Sequence, residues 1–229
     1  MGGDADLDFW RATAATTSGS VVELGCGAGR ILTAIATADR VLVGLDLDAA
    51  ALSLARERLP EAALIQADLL TWTPPETLRH GAGLVIAGGD LLPLLTEATD
   101  LERLFAQAAM LLRADGAFGI DATLIDAELL SEAASDSAWS EDVRWASDEF
   151  GEVRRESRLL PDPAGRAGCA QLQIRHWHAG DTSPDQRDPF AIRAWQPVEL
   201  ERIAEGVGLL IHQRGPADRL RWLLRSTHV

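Results

Sequence analysis

The segment Val21-Val22-Glu23-Leu24-Gly25-Cys26-Gly27-Ala28-Gly29-Arg30 constrains this chain more than any other stretch. A short β-rich run gives way to glycines at alternate positions, and Ile31 to Ala38 then carries apolar residues at helical spacing. Glycine enters left-handed backbone freely, so such a loop turns tightly and lets a ligand approach the main chain. The helix that follows aims its free N–H groups and positive dipole end at the same place. A dinucleotide-binding loop is spaced G-x-G-x-x-G, but the third glycine of that pattern would fall on Arg30. The spacing here is G-x-G-x-G, and Glu23 precedes it at the strand end. A carboxylate there repels a pyrophosphate and suits an ammonium or a sulfonium.

The alternation continues. Val41 to Leu45 reads as a second strand, and Asp48 as the N-cap of a helix running to Arg58, ahead of Pro60. Ala63 to Gln66 and Leu84 to Ala87 are further strands, separated by a loop from Thr71 to His80 that holds Pro74 and Pro75. Leu101 to Leu112 is a helix, and Asp115-Gly116 is expected to turn the chain into a fifth strand, Ala117 to Ile120. Residues 6 to 16 form a short amphipathic helix ahead of Ser18-Gly19. Strand and helix in alternation demand a parallel sheet with right-handed crossovers, and the ligand crevice of such a sheet lies outside the carboxyl ends of its strands. From 141 to 194 the pattern turns to polar–apolar alternation, in Val143 to Phe150, Val153 to Leu160 and Gly168 to Trp177. That predicts an inserted antiparallel meander. Pro197 opens a helix over Val198 to Glu205, and Leu209 to Gln213 with Leu220 to Leu224 predicts an antiparallel hairpin at the sheet edge.

Carboxylates fall at the strand tips. Asp46 ends the second strand, about twenty residues after Gly25, the offset expected of an acid on ribose hydroxyls. Asp68 follows the third strand and is placed to accept from an exocyclic adenine amine, with Leu47 and Leu69 sandwiching the ring. Asp90 lies just past the fourth strand and is a candidate general base, substrate-amine anchor or helix cap.

These residues resemble the class I S-adenosylmethionine-dependent methyltransferases, of small-molecule type, from about Phe9 to Leu224. Glu23, Gly25, Gly27 and Gly29 are similar to the family's E-x-G-x-G-x-G signature, and Asp46 and Asp68 match its ribose and adenine acids. Leu111 to Gly116 resembles its L-x-P-G-G turn with Ala114-Asp115 in place of Pro-Gly, and Arg193 to Leu200 its R-x-W-T-P-E-E-L helix entry. The resemblance implies a Rossmann-like α/β fold, with a mostly parallel seven-stranded sheet, helices on both faces and the meander inserted. It implies one domain: a lid helix over 1–18, a cofactor core over 19–125, a substrate roof over 141–194 and core completion over 195–229. It implies S-adenosyl-L-methionine as cofactor, with Trp10, Glu23, Gly25, Cys26, Gly27, Gly29, Asp46, Leu47, Asp68, Leu69 and Ala87 lining its site. Trp10, beside Phe9, is expected to close over the sulfonium, where an aromatic face gains cation–π attraction.

Two departures bear on chemistry. The family's frequent His-Leu after the fourth strand is Pro93-Leu94 here, which removes a candidate base, and the N-P-P-[YF] tetrad of amino-methylating DNA enzymes is replaced by Ala87-Gly88-Gly89-Asp90. His176 and His178, two apart on one strand, share a face and are candidate pocket residues, with no nearby acid or thiol completing a metal set, so no metal is expected. The formal net charge of -14 opposes nucleic acid and anionic lipid, and Arg154, Arg155 and Arg158 read as a solvated strand face. Met1 to Asp8 has no apolar run and no stretch is long enough to span a bilayer, so no signal peptide or membrane segment is expected. Cys26 and Cys169 read as reduced thiols of a cytoplasmic protein. The expected activity is methyl transfer to oxygen or nitrogen of a small-molecule acceptor, in a possible homodimer. The rivals are a cyclase-type enzyme that keeps the cofactor without methylating, and a degenerate binding protein.

Overall fold

The computed structural model describes residues 4–147, 151–215 and 219–227. The chain forms two compact units, Met1–Leu124 with Gln196–Val229, and Ile125–Trp195.

The first unit begins with α1 (Asp4–Ala15) and then alternates: β1 (Ser20–Leu24), α2 (Arg30–Ile35), β2 (Leu42–Asp46), α3 (Ala49–Arg58), β3 (Ala63–Gln66), β4 (Ala82–Ala87), α4 (Leu91–Leu94), α5 (Ala98–Leu111) and β5 (Leu112–Ala122). The Asp48 carboxylate accepts from the N–H groups of Ala50 and Ala51, which is the expected N-cap of α3. After the second unit the chain returns as α7 (Pro197–Gly206), β11 (Leu209–Arg214) and β12 (Leu220–Ser226). Gln196 and Glu199 make a reciprocal capping box at the start of α7, with Pro197 in the first turn. The seven strands lie in the order β11-β12-β5-β4-β1-β2-β3. β1 to β5 pair in parallel, while β12 runs antiparallel to β5 and β11 antiparallel to β12, so the terminal hairpin closes one edge as expected. The central strands β1 and β4 are buried on both faces, which is why β4 reads as an unbroken apolar run and β1, after Ser20, as one interrupted only by Glu23.

Two expectations are corrected. Asp115-Gly116 does not break the chain, because β5 runs through it from Leu112. The pairing with β4 slips there, from Ala82↔Leu112 to Leu84↔Ala117, and a Cβ on Gly116 would lie 2.7 Å from the Ala82 carbonyl oxygen. The glycine therefore serves a close approach between strands, not a turn. The second helix stops at Ile35, short of Ala38, because Ala36 is already extended.

The second unit holds α6 (Ala127–Asp136), β6 (Ser140–Ser147), β7 (Gly151–Pro161), β8 (Cys169–His178), β9 (Asp185–Gln186) and β10 (Phe190–Arg193). The antiparallel order β10-β8-β7-β6 is the expected meander with a further strand added, and β9 pairs with β8. Phe150, the expected end of the first meander strand, lies outside the described residues. The sequence reading missed α6, although Asp126 caps it through the Glu128 and Leu129 N–H groups and Leu130 and Ala134 pack with Ala170 and Ile192. The arginines of β7 are not a solvated face. Arg154 stacks on Trp177 at 5.2 Å and Arg158 on Trp139 at 4.7 Å, while Arg155, pointing the other way, pairs with Asp142.

Candidate functional site

The carboxyl ends of β1, β2, β3 and β4 gather the expected residues. The β1–α2 loop is left-handed at Gly25 (φ 75°), Gly27 (52°) and Gly29 (74°), as its glycines require. The N–H groups of Gly25 and Cys26 both donate to the Leu45 carbonyl at 2.8 Å, which ties the loop to β2. Each glycine answers a different demand. A Cβ on Gly29 would lie 3.0 Å from Leu59 Cδ1, and one on Gly25 3.1 Å from both Leu91 methyls. A Cβ on Gly27 would meet nothing within 4 Å, so that face of the backbone is open to a ligand.

Asp46 organises the loop from the tip of β2. Its carboxylate accepts from Gly27 N–H at 2.6 Å and from Asp48 N–H at 2.9 Å. A carboxylate offers about four lone-pair directions, so two acceptor positions stay available beside the open backbone of Gly27. The Asp46 carbonyl accepts from Ala67 N–H at 2.9 Å, which brings Asp68 alongside. Asp68 uses one carboxylate oxygen to hold Leu70 N–H, the ordinary turn role, and keeps the other. Leu47 is 67% exposed and Leu69 nearly buried, so only Leu47 offers a wide apolar face.

Several expected contacts are corrected by burial. Trp10 is wholly buried: its ring fills the notch left by two glycines, since a Cβ on Gly88 or Gly119 would approach it to 3.1 and 2.6 Å. It docks α1 into the core and is not an open lid face. The Cys26 thiol lies under the loop against β2, where burial pushes its pKa up to about 12, so Cys26 presents only main chain. Gly44 makes room for it, because a Cβ there would lie 2.7 Å from Cys26 Sγ and 2.9 Å from Leu64 Cδ2. Gly44→Val is therefore expected to lower unfolding stability by about 1–3 kcal/mol, read as a lower denaturant midpoint at unchanged slope. An unchanged midpoint would show that this floor is slack. Ala87 is also fully buried and can offer only backbone. Glu23 is 2% exposed, and burial raises its carboxyl to about 8 against the opposing pull of the Leu32 N–H and Arg30. Its Oε2 has no partner.

The candidate catalytic residues are all engaged. Asp90 Oδ1 accepts from Thr123 N–H at 2.6 Å and from Arg219 at 3.0 Å. In the second unit, His178 Nδ1 lies 3.1 Å from Asp181, and the His176 ring sits edge-on to Trp145, its pKa lowered by burial and then by Arg155 and Arg187. Among the described residues no group of three or more His, Cys, Asp or Glu is placed to hold a metal.

Three polar anchors escaped the sequence reading. Gln107, on the buried face of α5, donates to the Leu69 and Trp72 carbonyls at 2.6 and 2.7 Å and so fixes the turn that carries Asp68. Arg30, beyond the last loop glycine, makes a two-pronged pair with buried Asp6 of α1. Arg219 joins Asp121, Thr123 and Asp90. Gln107 alone left a signal, a polar residue interrupting the apolar stripe of Leu101, Leu104, Phe105 and Ala108. The others join elements distant in sequence.

Comparison with known proteins agrees with this geometry. A methyltransferase domain family profile matches residues 21–116. The chain is 29% identical over 196 residues to a trans-aconitate 2-methyltransferase of Delftia acidovorans, covering 82% of this chain and 71% of the relative. It is 41% identical over 87 residues to the trans-aconitate 2-methyltransferase of Paracidovorax citrulli, an alignment spanning only 34% of either chain. Streptomyces venezuelae DesVI superposes with a TM-score of 0.74 at 21% identity, covering 98% of this chain and 90% of that one. CalS10, an amino pentose methyltransferase from Micromonospora echinaspora solved with S-adenosylmethionine bound, gives 0.71 at 19% identity, covering 97% and 89%. No helix among the described residues is long and apolar enough to cross a membrane. The glycine loop, the acid at the tip of β2, the strand order and these likenesses converge: the chain belongs to the class I S-adenosylmethionine-dependent methyltransferases.

Proposed function

We propose that this enzyme methylates an oxygen or nitrogen of a small molecule, and that its acceptor is a small organic acid taken at a carboxylate oxygen. The observation that carries the acid reading is the state of Asp90. The carboxylate expected as base is tied to Arg219 and to the Thr123 N–H. An acceptor that arrives deprotonated needs no base, and a carboxylate does so at neutral pH. The relatives' name, trans-aconitate 2-methyltransferase, points the same way.

Asp46 and the backbone at Gly27 would grip the nucleoside, with Leu47 against the adenine, Asp68 at its amine, and Glu23 beneath the amino-acid tail. The cofactor supplies an electrophilic methyl on a sulfonium. The protein's task is then alignment, which alone can lower a barrier by about 7–11 kcal/mol. We assign acceptor recognition to the second unit. There Arg154, Arg158 and Arg175 stack on Trp177 and Trp139 around Glu156, a locally cationic face in an acidic chain.

Incubation with S-adenosylmethionine and trans-aconitate tests this by mass spectrometry. The expected products are a monomethyl ester and S-adenosylhomocysteine in equal amounts. Methylation of amino sugars with no turnover of trans-aconitate or other di- and tricarboxylates would replace the acid reading with nitrogen transfer. Cyclisation of a substrate without cofactor consumption would replace methyl transfer altogether.

A further inference from the structure

We infer that Arg219 is a positioning residue for the cofactor site, holding the turn after β4 against the glycine loop through Asp90 and Leu91. The chain of contacts is continuous within the first unit. From just before β12, the Arg219 guanidinium donates through Nε to Asp121, through Nη1 to Thr123 Oγ1 at 2.8 Å and through Nη2 to Asp90 Oδ1 at 3.0 Å. Asp121, on β5, is fully buried, and Arg221 Nε lies 3.5 Å from the same oxygen. The base of the fork is thus fixed in the sheet. The other prong reaches Asp90, whose Oδ1 also accepts from Thr123 N–H.

Asp90 needs such an anchor. It is left-handed at φ 63°, directly after Gly89 at the same angle. Glycine takes that conformation freely, whereas an aspartate meets steric resistance unless its side chain is bonded locally. Gly89 has open space where a Cβ would stand, as Gly27 does. The next residue, Leu91, seats both methyls over Gly25, where a Cβ would lie 3.1 Å from each. Moving Asp90 moves Leu91, and Leu91 forms the wall that holds the first loop glycine in its left-handed turn. A guanidinium reaches three acceptors in one plane, which a lysine ammonium does not reproduce.

The test is S-adenosylhomocysteine affinity by calorimetry, with backbone hydrogen exchange over residues 25–29 in the ligand-free protein, for Asp90→Ala, Arg219→Lys, Arg219→Gln and the double variant D90A/R219Q. Each single substitution is expected to weaken binding by about tenfold and to speed exchange at 25–29. The double variant is expected to be no worse than the weaker single, because both cut one connection. Arg219→Lys keeps a cation beside Asp121, so its midpoint of thermal unfolding should fall less than that of Arg219→Gln while its affinity falls as far. Wild-type affinity and exchange in D90A and R219K, whatever their melting points, would overturn the inference and leave Arg219 a purely structural partner of Asp121. Should Arg219→Gln fail to fold, those two variants decide. Should the wild type itself not bind S-adenosylhomocysteine, the cofactor assignment fails and the exchange data still decide this one.

Discussion

Asp46→Ala is expected to weaken S-adenosylhomocysteine binding by a hundredfold or more, about 3 kcal/mol or above by isothermal calorimetry. The carboxylate has two duties. It holds Gly27 N–H at 2.6 Å and Asp48 N–H at 2.9 Å, and on the proposed reading its remaining acceptor positions would take two ribose hydroxyls. Each hydrogen bond to a charged group contributes about 1.5–3 kcal/mol. Alanine removes the hydroxyl partner and lets the loop relax from the shape that meets the ligand. Asp46→Asn should lose nearly as much, because its amide N–H₂ would face one of two backbone donors. Affinity within threefold of wild type in both variants would mean that the sugar is held elsewhere.

The second large effect is on pH. Burial raises the Glu23 carboxyl from 4.5 to about 8, with Asp46 and Asp6 adding to the rise and the Leu32 N–H and Arg30 opposing it. An unfolded chain ionises this group near 4.5, while the folded chain keeps its proton until about 8. Between those values the folded state binds more protons, so its contribution is intact below about 4.5 and is lost as pH rises through about 8. The loss approaches ~5 kcal/mol by pH 9, at ~1.4 kcal/mol per unit over the shift from 4.5 to about 8. Glu23→Gln is expected to remove that slope and to unfold at higher denaturant than wild type at pH 9. Parallel stability–pH curves for the two proteins would refute it. An ammonium lodged above Glu23 favours its ionised form, so cofactor binding at pH 7 should also release a proton. Apparent binding enthalpies in buffers of different ionisation enthalpy report this directly.

The sheet was legible because its signals are local. β1 and β4 are buried on both faces and read as apolar runs, Asp48 and Pro197 marked helix starts, and the glycine loop fixed the site. What failed was information about who lies opposite. Trp10 reads as an aromatic on an amphipathic helix, and nothing near it reveals the notch at Gly88 and Gly119 that swallows it. Asp115-Gly116 has turn composition, yet its glycine answers the Ala82 carbonyl on another strand. Asp90 was visible as an acid beyond a strand, but Arg219, which occupies it, arrives from the far end of the chain. Cys26 looked like loop surface because Gly44, the residue that hosts its thiol, belongs to the neighbouring strand.

A crystal structure of the protein with S-adenosylhomocysteine tests the central claim most directly. Both ribose hydroxyls should lie within about 3 Å of the Asp46 carboxylate, with the amino-acid tail crossing the bare backbone at Gly27 and the Asp46–Gly27 hydrogen bond kept. A nucleoside bound away from the tips of β1 and β2, or the same pose with Asp46 turned from the sugar, would contradict it.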